Sequence, residues 1–452
     1  MRQIRILFIS ANRHKEPYPI YPLGTAYLKS YLLKNVPESI VEIADCNLSD
    51  NTDLVNRIRT FKPHYIGISF RNVDGANSLD KRGFLPGYKE IVQTVRLASN
   101  APVIIGGSGF SIFPIEFMKE LGADYGIQGE GEGPLVQLIM NLEAGGNGSN
   151  LPAVLTADKT DYLSHRQYIK NIEAVFEPSL VSYYWKQSGM LNIQTKRGCP
   201  NHCIYCSYPV IDGRCVRTMD IPQIVDNIVR IKKEHGADYL FFTDSVFNIC
   251  NNYNEQLARA LIKSNVTISW GAYFSPSNLS EEQMKLYKAS GLTHIEFGTE
   301  SFCDQTLQSY GKQFTFSDIL ATSNLALKYN VYYAHFLILG GYGEGETELT
   351  HTIENSRYLQ HTVLFPYIGM RIYPYTPLHK LAVEQGVISA ADTLVEPRYY
   401  LAKGFDLEKT RAAALATNKA WVFPDDPRNS LVNTLRIKRN KKGPLWEYLR
   451  KP

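Results

Sequence analysis

The chain has 452 residues, 44% of them hydrophobic and 20% charged, and a formal net charge of +4. That length predicts two or three domains with apolar cores, and so slight an excess of positive charge does not by itself point to nucleic acid. No charged start leads into an apolar signal stretch and no apolar run approaches about twenty residues, so neither secretion nor a membrane span is expected; an odd seven cysteines suit a reducing cytoplasm.

In residues 1–146, apolar runs alternate with amphipathic stretches: Ile4–Ile9, Val41–Ala44, Tyr65–Phe70, Val103–Ile105 and Tyr125–Ile127. Such alternation predicts an α/β fold, a doubly wound parallel sheet with helices on both faces. Ligands of such sheets bind beyond the carboxyl ends of the strands. There the chain places Ser10 and Asn12, then Ser69, Arg71 and Asn72, then Gly106, Gly107, Ser108 and Gly109, then Gly129 and Glu130. Small residues admit a bulky ligand close to the backbone, and the glycine-rich turn offers main-chain donors.

With Tyr21-Pro-Leu-Gly24 opening the first helix, this arrangement resembles the cobalamin-binding domain of many radical-SAM enzymes. The resemblance implies that the eleven strand-end residues just named border a cobalamin, Ser69 and Gly106-Gly107 standing in the serine and double-glycine positions. The familiar histidine three positions before a glycine is missing from Ser10–Glu16. His14 is therefore expected to be an ordinary loop residue, and the lower face of cobalt has no assigned ligand.

Residues 147–185 mix glycine, proline and polar side chains without sustained periodicity and read as a linker. Beyond them, in 186–386, strand candidates at Leu191–Thr195, Tyr239–Thr243, Thr267–Phe274, His294–Gly298, Val331–Leu339 and Tyr367–Tyr373 alternate with helical patterns such as Ile221–Lys233, Glu281–Ser290 and Phe316–Tyr329. Six βα units predict a partial (β/α)6 barrel with its site at the C-terminal strand ends. Directly after the first strand comes Cys199-Pro-Asn-His-Cys203-Ile-Tyr-Cys206. One short loop can fold three such thiolates around an iron–sulfur cube and leave the fourth iron without a protein ligand.

This series resembles the radical-SAM superfamily. The resemblance implies that Cys199, Cys203 and Cys206 hold a [4Fe–4S] cluster whose free iron is chelated by S-adenosylmethionine. It also places Tyr205 against the adenine, Asp244 near the methionine ammonium in place of a missing Gly-Gly-Glu, and Glu300 and Ser301 at the ribose and methionine. The turn Leu339–Thr347 matches the family's glycine-rich turn, with Glu346 and Thr347 starting a helix, and Arg371 and Tyr373 are expected to face substrate.

Residues 387–452 are expected to be a small helical region, with Tyr399, Tyr400, Trp421 and Trp446 in core or interface and the basic run Arg436–Lys442 a solvated tail. Taken together, the resemblances imply a cobalamin-dependent radical-SAM C-methyltransferase acting on a small-molecule, lipid or peptide precursor, with flavodoxin or ferredoxin as electron donor and no nucleic acid. Two alternatives stay open: a rearrangement such as ring contraction or cyclisation without methyl transfer, and a radical enzyme whose first domain senses cobalamin or is empty.

Overall fold

The computed structural model describes residues 3–158, 169 and 173–450. The middle of the expected linker, 159–168 and 170–172, lies outside the described residues. Two compact units form, one from Met1–Gly75, Arg82–Tyr183 and Ser207–Gly213, the other from Ala76–Lys81, Tyr184–Cys206 and Arg214–Pro452.

The first unit is built on strands β1 (Ile4–Ser10), β2 (Ser39–Asp45), β3 (Tyr65–Ser69), β4 (Val103–Gly106), β5 (Tyr125–Ile127) and β6 (Val154–Leu155). They lie in the order β2-β1-β3-β4-β5-β6, parallel except for β6, which runs antiparallel beside β5. Near-continuous apolar runs such as Ile4–Ile9 are what a sheet covered on both faces demands. Leu7, Ile9, Ile66 and Ile105 are accordingly fully buried. Asp50 starts the helix Asn51–Phe61 by accepting the Asp53 N–H in a capping box.

Strand order reverses between β1 and β3, so the crevice beyond their carboxyl ends is where this topology binds ligands. Register sets Ser10 beside Ser69, and Ser69 beside Gly106, along that edge.

In the second unit a seven-stranded parallel sheet runs in the order β7-β10-β11-β12-β13-β14-β17. Its strands are β7 (Leu191–Ile193), β10 (Tyr239–Phe242), β11 (Ser269–Phe274), β12 (Leu292–Glu300), β13 (Tyr332–Leu339), β14 (Val363–Ile368) and β17 (Ala420–Trp421). Two short antiparallel pairs flank it, β8 (Lys196–Arg197) with β9 (Arg217–Thr218) and β15 (Met370–Arg371) with β16 (Tyr399–Tyr400). Helices over its outer face bury an aromatic core in which Phe247 meets Phe242, Trp270 and Phe274 at ring distances of 5.1–5.4 Å.

Three expectations need correcting. The sixth strand is Val363–Ile368 rather than Tyr367–Tyr373, because Gly369 turns at φ 67° and sends Met370-Arg371 into the antiparallel pair. The linker carries structure of its own, β6 and the helix Pro178–Ser188. The basic run is solvated only in its middle: Lys438, Arg439 and Lys441 are exposed, but Arg436, 2% exposed, donates to the Gly443 and Pro444 carbonyls, and Lys442 sits over the Trp185 ring. Trp421 and Trp446 are core residues, as expected.

Candidate functional site

The cysteine loop leaves β8 at the C-terminal edge of the sheet and is held from several sides. Its Ile204 N–H donates to the Tyr310 carbonyl at 3.1 Å, its Ile204 carbonyl accepts from Leu378 N–H at 2.9 Å, and Ser245 Oγ donates to the Gly198 carbonyl at 3.2 Å. Gly311, at φ 76°, lies flush against the loop: an added Cβ would collide with the His202 carbonyl oxygen. Gly311→Ala is therefore expected to cost at least about 1 kcal/mol through the left-handed backbone alone and to lower the iron retained by the purified protein, measured per chain.

All seven cysteines are free thiols. Burial pushes the Cys199 thiol up. Lys312 lies within electrostatic reach of all three loop cysteines. Among the described residues no group of three His, Cys, Asp or Glu side chains closes on a point that could hold a single metal ion. Three thiols along one anchored loop are the donor set that an iron–sulfur cube takes while one of its irons keeps no protein ligand.

Asp244 anchors the start of this loop. Fully buried, it accepts from Thr195 N–H at 2.7 Å, Lys196 N–H at 3.1 Å, Thr195 Oγ1 at 2.5 Å and Lys196 Nζ at 2.7 Å. A carboxylate offers about four acceptor sites, so none is left for a ligand ammonium. The expected cofactor contact is corrected to a clamp: Asp244 and Lys196, 0% and 1% exposed, form a buried ion pair behind the cysteines. Lys196 Nζ also lies 4.6 Å over the Phe247 ring.

Glu300 sits at φ 67° at the end of β12. It accepts from Tyr205 OH at 2.7 Å and Lys312 Nζ at 2.9 Å. Burial and the Glu300 charge raise the Tyr205 hydroxyl well above its usual range. Burial works against the charge on Lys312, but the Glu300 carboxylate beside it, with the sulfurs of the cysteine loop nearby, holds its pKa above the ordinary value. The structure thus brings together Tyr205, Glu300 and the three cysteines, and adds Lys312, which no periodicity marks. Its signal was its place in Tyr310-Gly-Lys312, a glycine-flanked cation between two helices.

Other expected contacts turn inward. Ser301 is 0% exposed and shares a hydrogen bond with Thr352 at 2.7 Å while accepting from Cys303 N–H. Arg371 is buried, donating to the Ile372 and Leu394 carbonyls with its guanidinium over the Tyr373 ring. These correct Ser301 and Arg371 from ligand contacts to supports of the strand-end turns. Farther along, Glu344 accepts the Gly340 N–H, and burial lifts its carboxyl to about 8.

In the first unit the glycine-rich turn after β4 is pressed onto the segment after β3. An added Cβ on Gly107 (φ 99°) would come within 2.6 Å of the Phe70 carbonyl oxygen, and one on Gly109 within 3.1 Å of the same atom. A Cβ on Gly106 would come 3.3 Å from the Ile127 carbonyl oxygen, whereas one on Gly129, at φ 78°, would meet only the Ile211 carbonyl oxygen, at 3.8 Å. Ser108 Oγ donates to the Arg71 carbonyl, and Ser111 Oγ accepts the Gly129 N–H. Asn12 Oδ1 accepts the His14 N–H, and the His14 ring packs on Phe84 at 5.3 Å. Arg71 is exposed, Asn72 and Glu130 half-buried. Ser10, Ser69 and Gly106 therefore form a shelf of small residues whose far side is closed by the protein's own backbone, which fits a large planar ligand lying across the strand ends.

Residues 9–139 match the B12 binding domain and residues 193–355 the Radical SAM superfamily. An uncharacterized methyltransferase of Pyrococcus horikoshii is 25% identical over 80% of this chain and 79% of its own length. The tryptophan 2-C-methyltransferase of Streptomyces laurentii is 23% identical over 82% of this chain and 72% of its own. The radical S-adenosylmethionine methyltransferase TsrM of Kitasatospora setae, solved with cobalamin and a [4Fe-4S] cluster, shares the fold: TM-score 0.84, 21% identity, 99% of this chain and 97% of that one. With both domain models matched in order and the three thiols at the strand ends of the second, the chain belongs to the radical SAM enzymes that carry a B12 binding domain.

Proposed function

We propose that the protein is a cobalamin-dependent radical SAM C-methyltransferase acting on an unactivated carbon of a small-molecule, lipid or peptide precursor. The observation that carries this reading is the grouping of three free thiols with Tyr205, Glu300 and Lys312 at the barrel's strand ends, in a chain that also bears a B12 binding domain. When bound, S-adenosylmethionine on a [4Fe–4S] cluster supplies a carbon radical by one-electron cleavage and cobalamin supplies a transferable methyl group. The protein's part is to hold and orient. Cys199, Cys203 and Cys206 ligate the cluster, and the Asp244–Lys196 clamp fixes the loop that bears them. Lys312 and Glu300 present both charge signs to a zwitterionic ligand, the ammonium taking a carboxylate and the carboxylate taking hydroxyl or amine donors. Ser10, Asn12, Ser69, Arg71, Asn72 and the turns Gly106–Gly109 and Gly129-Glu130 border the corrinoid.

Lys312→Met removes the cation while keeping a stem of similar length. Affinity for S-adenosylmethionine is expected to fall about 10- to 100-fold, the worth of one charge-assisted hydrogen bond, with iron content unchanged. Equilibrium binding to the reconstituted protein checks this.

A low-potential donor such as flavodoxin or ferredoxin would supply the electron, and a reducing cytoplasm suits seven free thiols. No helix among the described residues is long and apolar enough to cross a membrane. The reading is tested by anaerobic reconstitution with cobalamin, methyl-labelled S-adenosylmethionine and candidate precursors, followed by mass spectrometry. Label in the product supports methyl transfer. Unlabelled product formed together with 5′-deoxyadenosine would replace it with a rearrangement, and failure to retain any corrinoid would leave a radical enzyme without the cofactor.

A further inference from the structure

Alternate residues of β12, His294, Glu296 and Gly298, share the inner face of the sheet, and Glu300 follows past a register shift at the strand's end. Near the strand starts that face is closed. Trp446 donates its Nε1–H to Glu296 Oε1 at 3.0 Å, His294 Nε2 lies 3.1 Å from Glu447, and Leu445 and Leu449 pack with Ala334 and Val363. Toward the strand ends it opens. Tyr273 on β11 and Tyr367 on β14 are each 37% exposed although their strands lie in the interior of the sheet. Phe336 and Phe365, stacked at 5.1 Å, are only partly buried. Aromatic rings that meet water from the middle of a sheet line a chamber, not a core.

Glu296 stands at the base of that chamber, 5% exposed. Among the described residues Trp446 Nε1 is its one hydrogen-bond donor, a fraction of what a carboxylate accepts. The cations nearby are engaged elsewhere, Lys312 by Glu300 and Arg450 over the Tyr332 ring. Burial lifts the Glu296 carboxyl to about 7, and the Trp446 hydrogen bond opposes that rise. The other titratable groups around it are His294 paired with Glu447, Tyr239 bonded to His294, Tyr273 on β11, Tyr367 on β14, whose hydroxyl burial raises with help from Glu296 and Glu300, and Glu300 itself, which Lys312 engages.

We propose that this chamber, in the enzyme read above, receives the amine-bearing end of the substrate, with Glu296 accepting a protonated amine and the Tyr273 and Tyr367 rings flanking it. A ligand cation supplies the partner that the buried carboxyl lacks, and aromatic faces attract cations as well. The Lys312–Glu300 pair ends the same strand past a register shift between Gly298 and Glu300, and Glu300 already accepts from Lys312 and Tyr205, which leaves Glu296 as the carboxylate with a single donor.

The test uses the full chain, reconstituted with its cluster, and calorimetry with 2-phenylethylamine and the neutral 2-phenylethanol from about pH 5.5 to about 8.5. The amine is expected to bind more tightly than the alcohol above pH ~7, to weaken about tenfold per pH unit below it as Glu296 takes up a proton, and to release protons on binding near the midpoint. The alcohol should show no such slope. Glu296→Gln should abolish both preference and slope while keeping cluster absorption. Trp446→Phe should move the midpoint upward, because the lost N–H stabilised the carboxylate; an unmoved midpoint overturns the proposal even if the Gln variant does not fold. Equal binding of amine and alcohol, a slope retained in Glu296→Gln, or displacement of the amine by S-adenosylmethionine in simple competition would each overturn it. Corrinoid retention, measured on the same wild-type sample, reports on the methyltransferase reading separately: its loss with the amine profile intact removes that reading and leaves the chamber.

Discussion

Replacing Cys199, Cys203 or Cys206 singly with Ala is expected to reduce the iron in anaerobically reconstituted protein to near zero and to bring S-adenosylmethionine cleavage below detection. Three protein ligands leave no redundancy, since a cube held by two thiolates has two irons open to solvent and exchange. The loop itself should survive, because its anchors at Gly198, Ile204 and Gly311 use backbone atoms rather than the thiols. Far-ultraviolet circular dichroism should therefore be unchanged. Ala at Cys46, Cys215 or Cys250 provides the contrast: none lies on the loop, and iron content should stay at the wild-type value. Iron retained by any of the three loop variants would remove that cysteine from the ligand set.

Asp244→Ala is the second large effect. The substitution removes four hydrogen bonds and strands the Lys196 ammonium at 1% exposure with Thr195 Oγ1 and aromatic faces as its remaining company. Breaking a buried pair on one side costs about 3–5 kcal/mol, a large share of a domain's stability. We expect the denaturation midpoint of the cluster-bearing unit to fall accordingly and cluster loading to fall with it. A double change, Asp244→Asn with Lys196→Met, should recover much of the loss, because the uncompensated charge goes with the lysine. If instead Asp244→Ala folds as stably as wild type but loses S-adenosylmethionine binding alone, the residue is a ligand contact and the clamp is wrong.

The sequence patterns that proved legible were those with a single physical cause. Near-continuous short apolar runs such as Ile4–Ile9 and Val103–Ile105, alternating with amphipathic stretches, read as strands buried on both faces, and β1 and β4 lie there. The cysteine spacing marked its loop, and the helical pattern read over Glu281–Ser290 coincides with the helix Glu281–Ala289 after β11. What stayed hidden depended on contacts distant in the chain. Pro366 disguised β14 in the middle of its run, and β17 is two residues long and is a strand only because Val363 and Leu364 lie beside it. Asp244 reads as an acidic strand-end residue until Thr195 and Lys196 are seen to fill it, and Lys312 stands well over a hundred residues from Cys199. Trp446 and Glu296, 150 apart in sequence, meet only in the folded sheet.

The packing of Gly107 and Gly109 onto Phe70 has a consequence for assembly. Those glycines answer to the chain's own backbone, so the shelf at the ends of β1, β3 and β4 takes its shape whether or not anything rests on it. Cofactor delivery would then be docking onto a finished receptor, with little ordering left to oppose affinity, and corrinoid could enter or leave across many turnovers without unfolding its host.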